Sequence, residues 1–356
     1  MCGGIIRAEL LKVSSGRKVG HKILAACDTA RLKTCMRTLP EYADAIHSRD
    51  DLIWPKPPAP KPAKAKPYSA HLPGLRAVTW DLYGTLLQVA DGHMNFEPKP
   101  EIRLEVALEK TIHEFNMWNS MSRKPGAPSE YMLQQYRDVL ADHYLRGGSA
   151  PRGEKPHVSL AGVWRVLIER LQQKDYEYDV ARFGSLDHFS ECVAYFFHSA
   201  LQGTAAYPKA LKVLKYVRRA GLLQGIVGDA QPYTFLHLVR ALQEQGQVPA
   251  INKLFQPELM LFSFVTGARK PSPSSLATCA ERLELNGISP GEVLHIGSRL
   301  GDDLLVAKKL GFKTALFAGD AASLDAPGKL LADKANHPDR LVTDLAQIAR
   351  VVGGEG

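Results

Sequence analysis

Cysteine is scarce in this chain, with five residues among 356, and their number is odd. They are widely scattered and form no Cys-x-x-Cys pair: Cys2, Cys27, Cys35, Cys192 and Cys279. This distribution argues against a disulfide framework and against a zinc site. It is typical of reduced thiols in the cytoplasm, where we expect the protein to reside.

Long hydrophobic runs are also absent, and no apolar stretch approaches the length that spans a bilayer. We therefore expect no membrane partner. Hydrophobic residues make up 45% of the chain and charged residues 23%, as in ordinary globular proteins. A chain of 356 residues has room for two or three domains and a sizeable core.

Excess charge is confined to the beginning of the chain. Residues 1–72 contain 13 Lys and Arg and 6 Asp and Glu, which gives +7 of the total +8. Residues 73–356 are therefore close to neutral, whereas a nucleic-acid interface needs a basic stripe on the folded part. We expect no nucleic-acid partner.

Two segments precede the presumed catalytic body. Residues 1–54 form a basic extension with modest helical patterning. A transit peptide is one interpretation, but we favour a helical extension that packs on the body, because nothing else indicates an organelle. Residues 55–72 are rich in Pro, Lys and Ala, which predicts a stiff, extended linker.

A carboxylate ends a short apolar strand early in the body. Residues 76–81 are largely apolar or β-branched up to Asp81, and Gly84 follows three residues later. In a parallel α/β sheet this carboxylate lies at the carboxyl end of a buried strand, where such folds bind ligands. Gly84 allows a tight turn, and a carboxylate held there can attack an electrophile and form a covalent intermediate. The alternative is that Asp81 only ends a strand or caps a helix.

Three later apolar segments also run into polar loops. The loops are Gly228-Asp229, Lys270-Pro271 and the stretch from Gly297 to Asp303. Because parallel strands bring their carboxyl ends together, we expect these side chains to meet Asp81 at one edge of a sheet. His295 lies inside an apolar strand and is interpreted as a hydrogen-bonded core residue.

The coarse pattern predicts an α/β fold with a doubly wound parallel sheet. Strands are expected near 76–81, 223–227, 259–265, 292–297 and 313–317, separated by helical stretches. Residues 94–202 show helical spacing of apolar residues without strand-like alternation, which predicts an inserted α-helical domain.

The order of these segments resembles the haloacid dehalogenase-like (HAD) hydrolase superfamily. The matching features are Asp-x-x-Gly-Thr-Leu at 81–86, a small residue ending the second strand, Lys-Pro at 270–271 and Gly-x-x-x-x-Asp-Asp at 297–303. The resemblance runs over about residues 75–316. It implies a Rossmannoid core of residues 73–93 and 203–356, with residues 94–202 as a helical cap over the active site.

The resemblance also implies a role for the polar residues at this edge. Asp81 would be the nucleophile, and Lys270 would neutralise negative charge on Asp81 and on the substrate. Thr85 would orient Asp81, although a loop hydroxyl bonded to backbone is an equal alternative. Asp303, with Asp302, would bind Mg²⁺, or both carboxylates could cap the following helix. We favour Asp303 as the ligand and Asp302 as the capping or supporting group.

Three positions depart from the family's phosphatase pattern. Tyr83 stands where these phosphatases carry a second Asp as general acid, and a phenol with a pKa of about 10 suits that task poorly. Gly228 replaces the Ser or Thr that binds the phosphate, and the neighbouring Asp229 adds negative charge. Ser298 replaces an Asp that binds the metal, and is a weaker ligand for a hard cation. We still expect Tyr83, Gly228 and Asp229 to line the substrate.

Three hypotheses follow, in order of preference. The first is a phosphatase acting on a small phosphate ester, with Mg²⁺ held by Asp81, Asp303 and the carbonyl of residue 83. The second is a 2-haloacid dehalogenase-like hydrolase without a metal cofactor, because Asp-x-Tyr-Gly-Thr and Ser298 resemble those enzymes and a departing halide needs no proton. The third is a catalytically impaired HAD-fold protein that uses its cleft for binding. We expect a small, anionic substrate and predict no oligomeric state.

Overall fold

The computed structural model describes residues 38–121, 127–146 and 150–354. Within them the strands are β1 Ala77–Trp80, β2 Leu87–Gln88, β3 Ala205–Ala206, β4 Leu223–Gly228, β5 Met260–Phe262, β6 Val293–Gly297, β7 Lys313–Phe317 and β8 Arg340–Val342. Six of these strands form one parallel sheet in the order β5-β4-β1-β6-β7-β8. The predicted doubly wound parallel sheet is confirmed, with β1 between β4 and β6.

The described helices are α1 Leu39–His47, α2 Ile102–Glu114, α3 Pro128–Arg146, α4 Leu160–Gln172, α5 Val180–Phe183, α6 Leu186–Leu201, α7 Ala210–Arg219, α8 Thr234–Gln243, α9 Ser263–Thr266, α10 Ser274–Glu284, α11 Leu305–Lys309, α12 Gly328–Leu331 and α13 Ile348–Val351. A π-helical turn, Leu300–Leu304, precedes α11. Among these described helices, none has the length and apolar character needed to cross a membrane.

Both faces of the sheet are covered. Val78 and Trp80 of β1 belong to an apolar cluster shared with α7 and α8, whereas Ala77 belongs to a second cluster shared with α10. This double burial explains why the strands are nearly continuous apolar runs. The polar N–H group of the buried Trp80 indole has a hydrogen-bond partner, because it donates to the Gln224 side-chain oxygen at 3.1 Å. Helices therefore pack against both faces of the sheet.

In the sequence, a helical insertion lies between β1 and the other strands of the six-stranded sheet. The chain leaves the core after β2 and returns through β3, and these two strands pair antiparallel at its base. Helices α2 to α6 surround their own apolar cluster, with most of α6 buried at its centre. Ser159 and Ser185 begin α4 and α6 by accepting hydrogen bonds from the first-turn N–H groups. Each such cap stabilises a helix by about 1 kcal/mol.

The chain before β1 lies against both the insertion and the core. Apolar side chains of α1, Tyr42 and Ile46 among them, join the cluster of the insertion. Farther along, Tyr68 exchanges two backbone hydrogen bonds with Leu341 of β8, at 2.8 and 3.0 Å. The segment predicted as a linker therefore packs on the edge of the sheet. Most of the predicted basic extension, residues 1–37, lies outside the described residues.

Candidate active site

Asp81 follows β1 at the carboxyl edge of the sheet. Its backbone N–H donates to the carbonyl of Ile296 in β6 at 2.8 Å, which fixes the residue to the sheet. Its carboxylate oxygen Oδ1 accepts a hydrogen bond from the Leu82 N–H at 2.8 Å and lies 2.7 Å from the Lys270 ammonium. No described donor contacts Oδ2. One oxygen is thus held in place and the other is available.

Lys270 comes from the loop between α9 and α10. Its Nζ lies 2.7 Å from Asp81 Oδ1 and 2.5 Å from Asp303 Oδ1, so one ammonium bridges two carboxylates. The backbone N–H of Lys270 donates to the Asp229 side chain at 3.0 Å. Asp229 therefore supports the loop that carries Lys270. The convergence expected from the strand order is present for these four residues.

Asp303 lies on the π-helical turn, a type of distortion that is frequent at functional sites. Its Oδ1 also accepts a hydrogen bond from His295 Nε2 at 3.0 Å, while its Oδ2 is buried and has no partner among the described residues. The other ring nitrogen of His295 meets the Thr79 hydroxyl at 2.9 Å. His295 is thus a hydrogen-bonded buried residue that contacts the site. Thr79 carried no sequence signal, because its contact depends on the register that places it opposite His295.

Burial and charge act together on the pKa values of this network. Burial raises the pKa of Asp81, and Asp303 raises it further, although Lys270 acts in the opposite direction. Burial also opposes ionisation of Asp303, but Lys270 and His295 outweigh it and lower its pKa to about 2. Burial disfavours the Lys270 ammonium, yet the two carboxylates raise its pKa above the usual value. We infer an ionised Asp303–Lys270 pair beside Asp81.

Asp229 has an unusual acidity for a carboxyl group. Burial raises its pKa to about 6, against the lowering effect of Lys270 and of the hydrogen bond from the Lys270 backbone. Asp81 contributes a further repulsion. Asp229 therefore exchanges its proton closer to neutral pH than an ordinary Asp does.

Tyr83 and Thr85 occupy the turn after Asp81. The Tyr83 hydroxyl donates to the Thr234 hydroxyl of α8 at 3.2 Å, and its ring lies 6.2 Å from the ring of His198 in α6, between centroids. Burial raises the pKa of Tyr83 further above the usual range. The Thr85 hydroxyl is buried and has no hydrogen-bond partner among the described residues. Among the described residues, the structure therefore contains neither a hydrogen bond that would let Thr85 orient Asp81 nor the backbone hydrogen bond given as the alternative.

Two glycines let the backbone approach acidic side chains closely, and a third lies against Ser298. A Cβ on Gly228 would lie 2.6 Å from Asp81 Oδ1, and one on Gly297 would lie 2.0 Å from Asp303 Oδ2. Gly84 has a φ of 83°, in the left-handed region that favours glycine, and a Cβ there would meet the Ser298 hydroxyl at 2.7 Å. Gly228 contributes space for the Asp81 carboxylate in this way, without a hydroxyl of its own.

The two neighbouring acids of the last loop have different surroundings. The Asp303 carboxylate is fully buried, whereas the Asp302 side chain is 36% exposed and pairs with Arg299. Arg299 also lies 4.0 Å from a carboxylate oxygen of Asp325. Asp302 therefore belongs to a surface ion-pair group, and its role as a metal ligand remains a prediction.

The residues present fit a Mg²⁺ ion that is shared with a bound substrate. Within the described part of the chain, Asp303 Oδ2, Ser298 Oγ and Thr85 Oγ1 are buried oxygens without partners. The described contacts of the Asp81 carboxylate are at Oδ1 and leave Oδ2 without a described donor. Mg²⁺ commonly binds one or two carboxylates, waters and substrate phosphates. In the described part of the chain no group of three or more His, Cys, Asp or Glu residues could hold an ion. A closed site built from protein carboxylates and imidazoles alone is therefore absent there.

The helical insertion touches the loop that carries Lys270. The His157 N–H donates to the Gly267 carbonyl, and the Arg269 N–H donates to the Lys155 carbonyl, both at 2.8 Å. These bonds join the segment before α4 to the residues that immediately precede Lys270. The position of the insertion and the position of Lys270 are therefore coupled.

The model for haloacid dehalogenase-like hydrolases matches residues 75–311, about two thirds of the chain. The chain belongs to the haloacid dehalogenase-like hydrolases. The HAD resemblance inferred from the strand ends is thereby confirmed, and the protein is a hydrolase by family.

Individual relatives of this HAD protein are distant. The glyceraldehyde 3-phosphate phosphatase of Pyrococcus furiosus is 28% identical over 149 residues, which cover 42% of this chain. The match spans about half the length of that curated relative, 55%. A HAD phosphatase structure from Thermococcus onnurineus is 19% identical, with a TM-score of 0.45, and covers 79% of this chain and 99% of its own. A 2-haloacid dehalogenase structure from Pseudomonas syringae pv. Tomato DC3000 is 19% identical, with a TM-score of 0.48, and covers 78% and 98%.

Proposed function

We propose that this HAD protein is a phosphatase that hydrolyses a small phosphate ester through a covalent intermediate on Asp81. The observation that carries the proposal is the asymmetry of the Asp81 carboxylate. Its Oδ1 is held by Lys270 and by the Leu82 N–H, while its Oδ2 has no described donor. A nucleophile needs this combination of a fixed position and a free lone pair. The phosphatase named among its relatives supports the choice of a phosphate ester.

Each side chain of the site has a role in the proposed two-step reaction. Asp81 Oδ2 forms a bond to phosphorus while the ester bond breaks and its electron pair leaves with the ester oxygen. Water then cleaves the aspartyl phosphate, which releases inorganic phosphate and restores the carboxylate. Lys270 offsets negative charge throughout, and it is preorganised because Asp303 and Asp229 hold its side chain and backbone. A Mg²⁺ ion, when bound, would be held by Asp81 and Asp303 and would neutralise phosphate charge.

The helical insertion acts as the cap in this proposal. Its bonds to the Lys270 loop, through Lys155 and His157, close one side of the carboxyl edge. A cover of this kind excludes water from the reacting atoms and strengthens their electrostatic interactions. The insertion then contributes to the choice of the small anionic substrate.

A second candidate is a metal-independent 2-haloacid dehalogenase-like hydrolase. The observation that favours it is that Lys270 contacts both Asp81 and Asp303 directly. The ammonium thereby neutralises one of the two carboxylate charges without a metal ion. Ser298 in place of a metal-binding Asp agrees with it. In that reaction Asp81 Oδ2 displaces a halide from carbon, and water then hydrolyses the ester.

The two candidates differ in their leaving group and in their need for a metal. We would assay the purified chain with a panel of phosphate esters and short 2-halo acids, with Mg²⁺ and with a chelator. Asp81→Asn is the test variant, and Asp302→Asn is the matched control in the surface ion pair. Phosphate release that requires Asp81 and Mg²⁺ supports the phosphatase, and halide release indifferent to the chelator supports the dehalogenase. Turnover equal in Asp81→Asn and wild type would refute both, and absence of turnover would favour a binding protein.

A further inference from the structure

We infer that this protein acts on substrates whose leaving group departs as a weakly basic anion, such as aryl, enol or acyl phosphates, and that it hydrolyses alkyl phosphates slowly. The inference rests on the proposed function, in which Asp81 displaces a leaving group. An alkoxide needs a proton as its bond breaks, whereas a phenolate, an enolate or a carboxylate does not. The substrate class therefore depends on whether a proton donor stands beside Asp81.

Tyr83 is poorly suited to donate that proton. Its hydroxyl hydrogen is already directed to Thr234 of α8, at 3.2 Å. The side chain is 4% exposed and packs next to His198, between the insertion and the core. The residue at the usual general-acid position is therefore engaged elsewhere.

The described side chains around Asp81 include Lys270, which pairs with it, and Asp303 and His295, which contact each other next to Lys270. Asp303 Oδ1 is engaged as an acceptor, by His295 Nε2 at 3.0 Å and by the Lys270 ammonium at 2.5 Å. The Lys270 ammonium lies between two carboxylates, 2.7 Å from Asp81 Oδ1 and 2.5 Å from Asp303 Oδ1, and is engaged with both. Both ring nitrogens of His295 are engaged, one with Asp303 and the other with Thr79. None of these groups offers a proton to a leaving oxygen.

Two further titratable groups of the described residues lie next to this network, His198 beside Tyr83 and Asp229 beside Lys270. Burial lowers the pKa of His198 to about 4, so its ring is uncharged at neutral pH and is a weak acid. Asp229 has a pKa of about 6, but its Oδ1 accepts the Lys270 backbone N–H and so is turned to the loop. Asp229 is the remaining rival for the role of acid, and it can be tested by substitution.

The first step balances without a proton donor. The Asp81 Oδ2–phosphorus bond forms, the phosphorus–oxygen bond to the leaving group breaks, and the electron pair departs with that oxygen. A weakly basic anion diffuses away as such, whereas an alkoxide takes up a proton from solvent at a penalty in rate. The halide of the second candidate function is also a weakly basic leaving group, so the same feature of the site serves either reaction.

The test is the dependence of kcat/KM on the basicity of the leaving group. We would compare aryl phosphates with alkyl phosphates of similar size in the wild-type chain, Tyr83→Phe and Asp229→Asn, with the melting temperature of each as a folding control. General acids commonly contribute about 10²–10⁴-fold. We therefore expect alkyl esters to be slower than aryl esters by at least about 10²-fold, and Tyr83→Phe to leave that ratio unchanged.

Three results would overturn the inference. Alkyl and aryl esters turned over at similar rates would show that a proton is supplied. A selective loss of alkyl turnover in Tyr83→Phe or in Asp229→Asn would identify the donor. Turnover of no ester at all, in chains that melt normally, would overturn the proposed phosphatase and the inference with it, whereas turnover with a flat leaving-group dependence overturns the inference alone.

Discussion

Replacing Gly228 with Ala tests how closely the end of β4 approaches the Asp81 carboxylate. A Cβ at this position would lie 2.6 Å from Asp81 Oδ1 and 3.4 Å from the Leu82 nitrogen. Ordinary van der Waals contact begins at 3.4 Å, so the Asp81 oxygen must move by about 0.8 Å, the difference between 3.4 and 2.6 Å. That same oxygen holds Lys270 at 2.7 Å, and its displacement disturbs the ion pair.

The size of the effect follows from this displacement. A misplacement of about 1 Å at a reacting group can lower turnover about 10²-fold. Overpacking of a buried site typically destabilises a protein by about 1–3 kcal/mol. We therefore expect Gly228→Ala to lower kcat about 10²-fold and the free energy of unfolding by about 1–3 kcal/mol. Gly228→Ser should behave similarly, because its Cβ meets the same oxygen before its hydroxyl can help.

The assay compares turnover of an aryl phosphate and urea unfolding in wild type, Gly228→Ala and Gly291→Ala. Gly291 is the matched control, because it is exposed and a Cβ there meets nothing within 4 Å. We expect the control to retain both kcat and stability. If Gly228→Ala matched wild type in both measurements, the close approach of β4 to Asp81 would be incorrect, and with it the description of how Asp81 is held.

Three further predictions concern the residues around Lys270. His295→Gln can keep a donor near Asp303 and should retain most of kcat, whereas the shorter His295→Asn should lower kcat about 10–100-fold. Equal kcat values in the two variants, at similar melting temperatures, would contradict this. Asp303→Asn should abolish turnover, while Asp302→Asn, in a partly exposed ion pair, should keep it and change stability by less than about 1 kcal/mol; activity loss in both variants would show that Asp302 serves the site. Asp229→Asn should remove a pH dependence of stability. The pKa of Asp229 is about 6 in the folded chain and 3.8 in the unfolded chain, so the folded chain binds more protons between these two pH values. The wild type should therefore lose stability relative to the variant as pH rises from about 4 to 6. Melting temperatures across that range measure the difference, and a constant difference would contradict it.

The strands that carry the site could be predicted from sequence because each signals its own end. An apolar run followed by Asp81, by Gly228-Asp229 or by Gly297 marks a buried strand and its polar edge, and β1, β4 and β6 lie where these patterns place them. The predicted strand 259–265 is shorter in the structure, since β5 ends at Phe262 and α9 begins at Ser263. An apolar run alone does not distinguish a strand from a short buried helix.

Other features depend on contacts between distant parts of the chain. The edge strand β8 is three residues long, Arg340–Val342, and it forms because β7 lies beside it. The Thr79–His295 contact depends on the parallel register of β1 and β6. The hydroxyl of Tyr83 turns to Thr234, a residue about 150 positions away. None of these contacts leaves a local signal, because each is determined by packing.

The most direct test of the mechanism is to look for the covalent intermediate itself. The chain would be mixed with an aryl phosphate, quenched rapidly in acid, digested and analysed by mass spectrometry of the peptide that contains Asp81. We predict a phosphoryl group on Asp81 in the wild-type chain and both no adduct and no turnover in Asp81→Asn. Turnover by Asp81→Asn at the wild-type rate, with no phosphorylated peptide in either chain, would contradict nucleophilic attack by Asp81.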